Sequence, residues 1–474
     1  MSKPTSPPHH PTANADRVPA REKFALGLGA AASMGTHNAV HTLANPIYNV
    51  ILGMNPAYLS MIIFVQRFWD AFLDPLAGHL SDNSKSKWGR RRPFLLIAAL
   101  PTALAFAGIW FFPRGLGEMQ LVGYFAVTSM VFYLFHTFFT VPLTALQIEV
   151  TGDYHERTRV ASVVGICTWL FSIGNQWLFP LVQSGWFADP ITAVRWVTSV
   201  AALLYAALAL APALFVKERF RTVAATRQPR IGFWQALRTT SRNRDFLLLI
   251  GVRSISTFGY SIVALLGFYL NVYLVHGGDL RAAGAIQGWL GSAYVLACIF
   301  SYWAFRLLAL RIGKRRALQC AAGVLIAAGL VKLCVYVPGL RWWQILVPAM
   351  NGVAQAGIML LTTAMLADIV DADELSSGRR REGLYAAALA WLDKVGSSAG
   401  ALLAGFVLVW IGFKAELGGA QPPATLQLMK WLYAFFPLLG AAITIALAQR
   451  YTLDETKAYA IKRELEAARD RDTN

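Results

Sequence analysis

The apolar residues of this chain fall into long blocks. From Phe24 to Tyr451, runs of about twenty or more are separated by short links rich in basic residues or in Pro and Gly. A helix of that length crosses a hydrocarbon layer about 30 Å thick, and it satisfies its own backbone hydrogen bonds where no water is present. The blocks predict twelve spanning helices, over 24–52, 56–82, 93–113, 119–150, 159–187, 192–216, 245–276, 281–309, 317–338, 341–371, 383–413 and 425–451. Ahead of them, MSKPTSPPHHPTANADRVPA is polar and Pro-rich, which predicts disorder. It lacks the apolar core of a cleavable signal, so the first helix is expected to remain in the mature chain. The expected organisation is a disordered N-terminus over 1–23, a helical bundle over 24–216, a basic linker over 217–244, a second bundle over 245–451 and a tail over 452–474. In that tail, ETKAYAIKRELEAARDRD reads as a charged helix.

Composition supports an all-α polytopic membrane protein. Of 474 residues, 56% are hydrophobic and only 15% charged, against about a quarter charged in a typical soluble domain. The net charge of +17 raises the question of nucleic acid, but its distribution excludes it. Lys85, Lys87, Arg90, Arg91 and Arg92 follow the second span, and Arg157 and Arg159 follow the fourth. Eight more cations, from Lys217 to Arg244, lie between the sixth and seventh. Arg311, Lys314, Arg315 and Arg316 follow the eighth, and Arg379, Arg380 and Arg381 follow the tenth. The opposite links are nearly free of them. This is the positive-inside pattern with both termini in the cytoplasm, expected here for a bacterial inner membrane. Cys167, Cys298, Cys320 and Cys334 fall within spans without metal spacing and read as small core residues. No nucleophile–base pair and no HExxH motif points to an enzyme, and no cofactor or firmly assigned metal is expected.

Two short patterns recur about half a chain apart. WGRRRP (Trp88 to Pro93) is echoed by IGKRRA (Ile312 to Ala317), and TALQIE (Thr144 to Glu149) by TAMLAD (Thr363 to Asp368), at offsets of 224 and 219 (88 to 312, 149 to 368). Two six-helix halves are thereby expected, the arrangement of the major facilitator superfamily, with a site near mid-membrane between them. Gly78 and Gly89 permit close approach and a tight turn. Asp82, Gly89 and the Arg90, Arg91, Arg92 cluster then form a cytoplasmic gate with Glu149, Asp153, Asp368, Asp371 and Asp373 as partners.

Candidate chemistry lies where polar groups interrupt the blocks. In RFWDAFLDPLAGHLSDNSKSKWGRRRP (Arg67 to Pro93), Asp70 and Asp74 are four residues apart on one helical face, with Arg67 a turn away. A carboxylate facing lipid at mid-membrane costs about 2.5–3.5 kcal/mol, so both must face the bundle interior. Two adjacent carboxylates repel, and neutralisation by a proton or cation is the chemistry of ion coupling. The alternative is a static Arg67–Asp70 bridge, but one arginine cannot balance two aspartates. Lys394, near mid-span in the eleventh helix, is a candidate partner for Asp70 or Asp74, and its neighbour Asp393 points about 100° away. Thr137, Thr140, Thr144 and Gln147 form a polar stripe on the fourth span. Asn38, His41, Asn45 and Asn49 do so on the first, where Pro46 predicts a bend. Asn175, Gln176, Arg253, Tyr260, Asn271, Asn351 and Gln355, beside Trp289, Tyr294 and Trp391, suit a sugar, which needs many hydrogen bonds and a flat aromatic face. Helix-to-helix hydrogen bonding is the other use of such residues. His37, His41 and His136 are candidate proton shuttles.

The motif R-x-W-D-A-x-x-D-P-x-x-G followed by W-G-R-x-x-P, together with LADIVDADELSSGRRREGLY (Leu366 to Tyr385) and DKVGSSAG, resembles the glycoside–pentoside–hexuronide:cation symporters, the group that includes the melibiose permease. The resemblance spans both halves. It implies the twelve-helix facilitator fold and cation-driven uptake of a sugar or glycoside, with a small-molecule substrate, a coupling ion (H+ or Na+), the bilayer and a monomer as the expected partners and state. It implies that Asp70 and Asp74 are the cation carboxylates, that Thr137 is a hydroxyl of that site and that Lys394 is the nearby lysine. The sugar-recognising acids and arginine of the melibiose permease are here Met34, Thr140 and Gly165, and the residue before the second aspartate is Leu73 rather than an amide. A galactoside is therefore not expected, and losing an oxygen ligand at Leu73 weakens a sodium site. A non-sugar or amphiphilic cargo on the same fold, and a non-transporting sensor, are the competing readings.

Overall fold

A computed structural model describes residues 17–84, 86–151, 153–218, 240–241, 243–378, 381–453 and 455–473. The first sixteen residues, Lys85, most of the linker cations, Arg379 and Arg380 lie outside the described residues. Among those described there is no strand. The helices are α1 (Ala20–Ala44), α2 (Pro56–Asp82), α3 (Arg92–Gly108), α4 (Glu118–Glu149), α5 (Tyr154–Asn175), α6 (Leu178–Val182), α7 (Pro190–Phe215), α8 (Arg244–Tyr269), α9 (Leu280–Ile312), α10 (Lys314–Val335), α11 (Leu346–Ser377), α12 (Glu382–Trp410), α13 (Pro423–Gln449) and α14 (Glu455–Thr473).

A helix lies at each predicted span. Among the described residues, eight helical segments are long and apolar enough to cross a membrane by length and composition: those containing α4, α7, α8, α9, α10, α11, α12 and α13. The tail helix expected from its charge pattern is α14. Three spans differ in form from a single straight helix. The first ends in a widened turn over Asn45–Ile51, where Leu52 N–H reaches back five residues to Ile47 O. Pro46 has no N–H to give, which makes the ordinary ladder impossible at that point. The seventh ends likewise over Leu270–Val275, with His276 N–H on Asn271 O. The fifth breaks after Asn175 and resumes as the short α6, whose third residue is Pro180.

Helix starts follow their caps. Asp153, Asp189 and Asn243 each accept a backbone N–H three residues on, at 2.7, 2.7 and 3.1 Å, and open α5, α7 and α8. Asp279 accepts from Arg281 and Ala282 at 3.0 Å and opens α9.

The chain forms two compact units. The first comprises residues 1–43, 68–178 and 188–224, the second 44–67, 179–187 and 225–474. In the first unit α3 packs on α4 and α7, around Phe106, whose ring meets Tyr205 at 5.7 Å and Phe132 at 6.2 Å. In the second, α8 packs on α12 and α13, α9 on α11, and α10 on α11 and α13, around Phe246, Leu249, Phe305, Ile358, Leu361, Met365 and Tyr385. Small residues bring these helices close: a Cβ on Gly352 would lie 2.5 Å from Tyr294 O, and one on Gly400 2.4 Å from Phe258 O. Large apolar side chains also cover the outside, Ile97, Leu203 and Leu310 among them, each 72% exposed. That inversion suits hydrocarbon rather than water as the outer solvent. Of the four cysteines, Cys167 and Cys298 are buried, but Cys320 and Cys334 are exposed on that apolar outside rather than in the core.

Candidate functional site

In the first unit, α2 and α4 bring Asp70 and Thr137 together. Asp70 is buried at 7% exposure, and Thr137 Oγ1 donates to its Oδ1 at 3.5 Å. Trp69 Nε1 donates to Met130 O at 3.2 Å and fixes α2 against α4 at this level. Asp74 is half-buried one turn on, and Leu73, just before it, is buried at 3% exposure.

Three imidazoles of α1 and α4 lie near one another. The His37 ring lies 4.8 Å from that of His41 and 5.8 Å from that of His136. Tyr133 Oη is 3.2 Å from His41 Nε2, and Ser33 Oγ is 3.2 Å from His136 Nε2 and 2.6 Å from Thr140 Oγ1. Asn38 is half-buried on the same helix. Thr144 is exposed and donates to Thr140 O of its own helix. Met34 is exposed, and nothing lies within 4 Å of where a Gly165 Cβ would be. Asn175 is committed to packing: it donates to Gly35 O at 2.9 Å and accepts from Tyr205 Oη.

In the second unit the strongest polar cluster is Arg253 of α8 with Asp393 of α12. Arg253 Nε lies 3.0 Å from both carboxylate oxygens, its second amino nitrogen 2.9 Å from Oδ2, and its remaining nitrogen donates to Thr362 at 3.0 Å and Thr363 at 3.3 Å. Asp393 thus serves Arg253. Lys394 and Trp391, on the same helix, are half-buried, as is Arg67 on the part of α2 that belongs to this unit. Gln355 accepts from Ser256 Oγ at 2.8 Å. Asn351 and Gln355 line a small cavity of about 20 Å³ with Ser256 and Tyr260, room for a water molecule. The buried Asn351 Oδ1 has no hydrogen-bond partner among the described residues. Tyr260 stacks on Tyr294 at 5.4 Å, whereas Trp289 is exposed.

The two sequence repeats meet in each unit. In the first, Arg91 bridges Asp82 at 2.5 Å and Glu149 at 2.8 Å and donates to Ser81 at 2.7 Å, while Arg90 is 3.6 Å from Glu149. Burial opposes the Arg91 charge, but the bonds and charges of Glu149 and Asp82 outweigh it and hold its pKa above the ordinary arginine value. In the second, Lys314 lies 2.7 Å from both oxygens of Asp368, and Arg381 is 3.7 Å from Asp373. Asp371 is half-buried nearby on α11. Asp153 caps α5.

Sequence reasoning missed Glu218. Its two oxygens accept the backbone N–H groups of Arg90, Arg91 and Arg92, all at 2.7 Å, at the start of α3. Gly89 has φ +105°, and a Cβ there would sit 2.4 Å from Glu218 Cδ. It also missed Glu156, which holds Lys23 at 2.6 Å, Arg159 at 3.0 Å and the Val18 N–H at 3.0 Å. In the sequence Glu218 is a lone acid among cations, whereas Glu156 follows Asp153 with no distinguishing signal.

The model of the family described as MFS/sugar transport protein matches residues 25–455. An isoprimeverose transporter of Lactiplantibacillus pentosus is 26% identical, covering 92% of this chain and 90% of its own. A glucuronide carrier protein homolog of Escherichia coli is 25% identical over 86% and 87%, and an uncharacterized symporter of Synechocystis 24% over 91% and 94%. Among solved structures, an inward-facing bacterial homolog of the lysosomal transporter Spinster superposes with a TM-score of 0.65 at 14% identity, over 91% of this chain and 98% of that one. The nucleoside transporter NupG gives 0.65 at 12%, over 90% and 99%.

Proposed function

Because the chain belongs to the MFS/sugar transport protein family, and is on that ground a multi-pass membrane transporter and not an enzyme, we propose that it carries a sugar or glycoside together with a proton by alternating access of two six-helix halves. The single observation that supports this most is Asp70: a carboxylate at 7% exposure inside a helix bundle, with the Thr137 hydroxyl donating to it at 3.5 Å. A permanently charged group there is costly, whereas one that takes up and releases a positive ion has a reason to stay. Buried Leu73 offers no oxygen, and this favours a proton over sodium, which needs several. Asp74, Arg67, Thr137 and Lys394 are proposed as the electrostatic surroundings of that ion. Asp82, Gly89, Arg90, Arg91, Arg92, Glu149, Asp368 and Asp371 are proposed as the cytoplasmic gate. Asn38, His41, Thr140, Thr144, Asn175, Asn351, Gln355 and Trp391 remain the proposed substrate contacts, with Asn175 the least available. The positive-inside pattern supports a bacterial inner membrane and cytoplasmic termini, and a monomer suffices for the mechanism.

A second reading changes the cargo to an acidic sugar. Three imidazoles lie near one another and near the Ser33, Tyr133 and Thr140 hydroxyls, groups able to donate to a carboxylate, and a glucuronide carrier homolog is among the relatives.

Proteoliposomes separate these readings. A proton gradient without sodium should drive accumulation of one member of a panel of neutral glycosides and uronides, and Asp70→Asn should reduce accumulation to the equilibrium level while leaving exchange across the membrane. Accumulation by Asp70→Asn equal to that of the unaltered protein would remove the proposed coupling group.

A further inference from the structure

The link before α3 and the end of α7 line an open pocket of about 810 Å³, whose cations go beyond the gate contacts described above. Lys87, Arg92 and Lys217 line it, with Trp88, Leu96 and Leu214 as its apolar wall. Glu218 is also in the wall, but its two oxygens are already taken by three backbone N–H groups. The pocket therefore offers three cations against one saturated carboxylate. Arg92 is held in place by its Nε donating to Ala213 O at 2.8 Å, which leaves its other N–H groups for a ligand. Lys87 and Lys217 are exposed and make no ion pair among the described residues. Trp88 is 64% exposed.

The apolar side continues along both helices. On α3, Leu96 leads at four-residue steps to Leu100 and Leu104, exposed at 56% and 63%. On α7, Leu214 leads back to Leu203, also exposed. The two helices pack against each other, so a cationic mouth opens onto an apolar track running into the membrane. We propose that this is a binding site for an anionic phospholipid, its phosphate held by Lys87, Arg92 and Lys217, with Trp88 at headgroup level and its acyl chains along the leucine rows. Basic pockets at the cytoplasmic ends of transmembrane helices suit anionic headgroups, and indole rings settle at that depth. A free phosphate shares the headgroup chemistry but has no use for the leucines.

The test is native mass spectrometry of the full chain released from detergent with added phosphatidylglycerol, phosphatidylethanolamine or sn-glycerol 3-phosphate. The unaltered protein should retain phosphatidylglycerol in preference to phosphatidylethanolamine. Lys87→Gln with Lys217→Gln should weaken that retention roughly tenfold or more, the loss of two lysine–phosphate attractions, with an unchanged melting temperature because both side chains are exposed. Equal retention by the double variant would overturn the site. Displacement of phosphatidylglycerol by an equal concentration of glycerol phosphate would overturn the lipid assignment in favour of a soluble phosphate.

Discussion

Lys314 lies 2.7 Å from both carboxylate oxygens of Asp368, the pairing that Arg90 and Arg91 make with Glu149 in the other repeat. The basic link and the acid at a helix end, which recur in the sequence, are thus one contact used twice. Both partners are partly exposed, so the pair is worth only about 0.5–1 kcal/mol of stability. Lys314→Asp should impair transport, and adding Asp368→Lys should restore it in large part, because the swap rebuilds the attraction. Uptake assays with a double-mutant cycle check this. Additive losses would mean that the pair is not a functional contact.

Arg253 and Asp393 are a different case, because this pair is largely enclosed and the arginine is fully used. Removing one partner strands a charge, at roughly 3 kcal/mol, the lower end for buried pairs given that the Asp393 side chain is 21% exposed. Arg253→Leu should therefore lower the melting temperature in detergent more than Arg253→Leu combined with Asp393→Leu.

Gly89 is fixed by two constraints at once. Its φ of +105° suits glycine, and the Glu218 carboxylate occupies the place of a Cβ. Gly89→Ala should cost about 1–3 kcal/mol by backbone strain plus the displacement of Glu218. Glu218→Ala in the same background relieves the clash but not the φ, so thermal melting should show partial recovery only.

Glu156 gives a pH signature. Burial works against its ionisation, but Lys23, the Val18 N–H and Arg159 more than offset this and lower its pKa. A lowered carboxylate stabilises the fold above its unfolded value, about 4.3, and the contribution is lost as pH falls through the folded value. Melting temperatures from pH 7 to 3 should show Glu156→Gln below the unaltered protein at neutrality, with the two curves converging at the acid end.

Much of the helical pattern was legible because a hydrocarbon solvent writes it in blocks that need no knowledge of partners. The blocks over 119–150 and 425–451 became α4 and α13 with ends shifted by a residue or two. Asp70 was legible as an interior group because its burial is forced by cost alone. What the sequence withheld were choices among partners. Asp393 was seen beside Lys394, yet it belongs to Arg253, 140 residues earlier. That Gly35 and Tyr205 hold both ends of the Asn175 amide depends on helices packed from elsewhere in the chain, which no local pattern announces. Glu218 looked like part of a charged linker, because no local pattern announces that three N–H groups elsewhere are waiting for it.

Asn49 lies in the widened turn that follows α1. It donates to Met54 O and accepts from Tyr269 Oη, which immediately precedes the widened turn after α8. Each turn holds one residue more than an ordinary helical turn needs. A segment with a residue in reserve can gain or lose one position without severing the helix on either side. Insertions and deletions that would be ruinous in the middle of α1 or α8 should be tolerated there, as long as an amide stays in reach of that tyrosine.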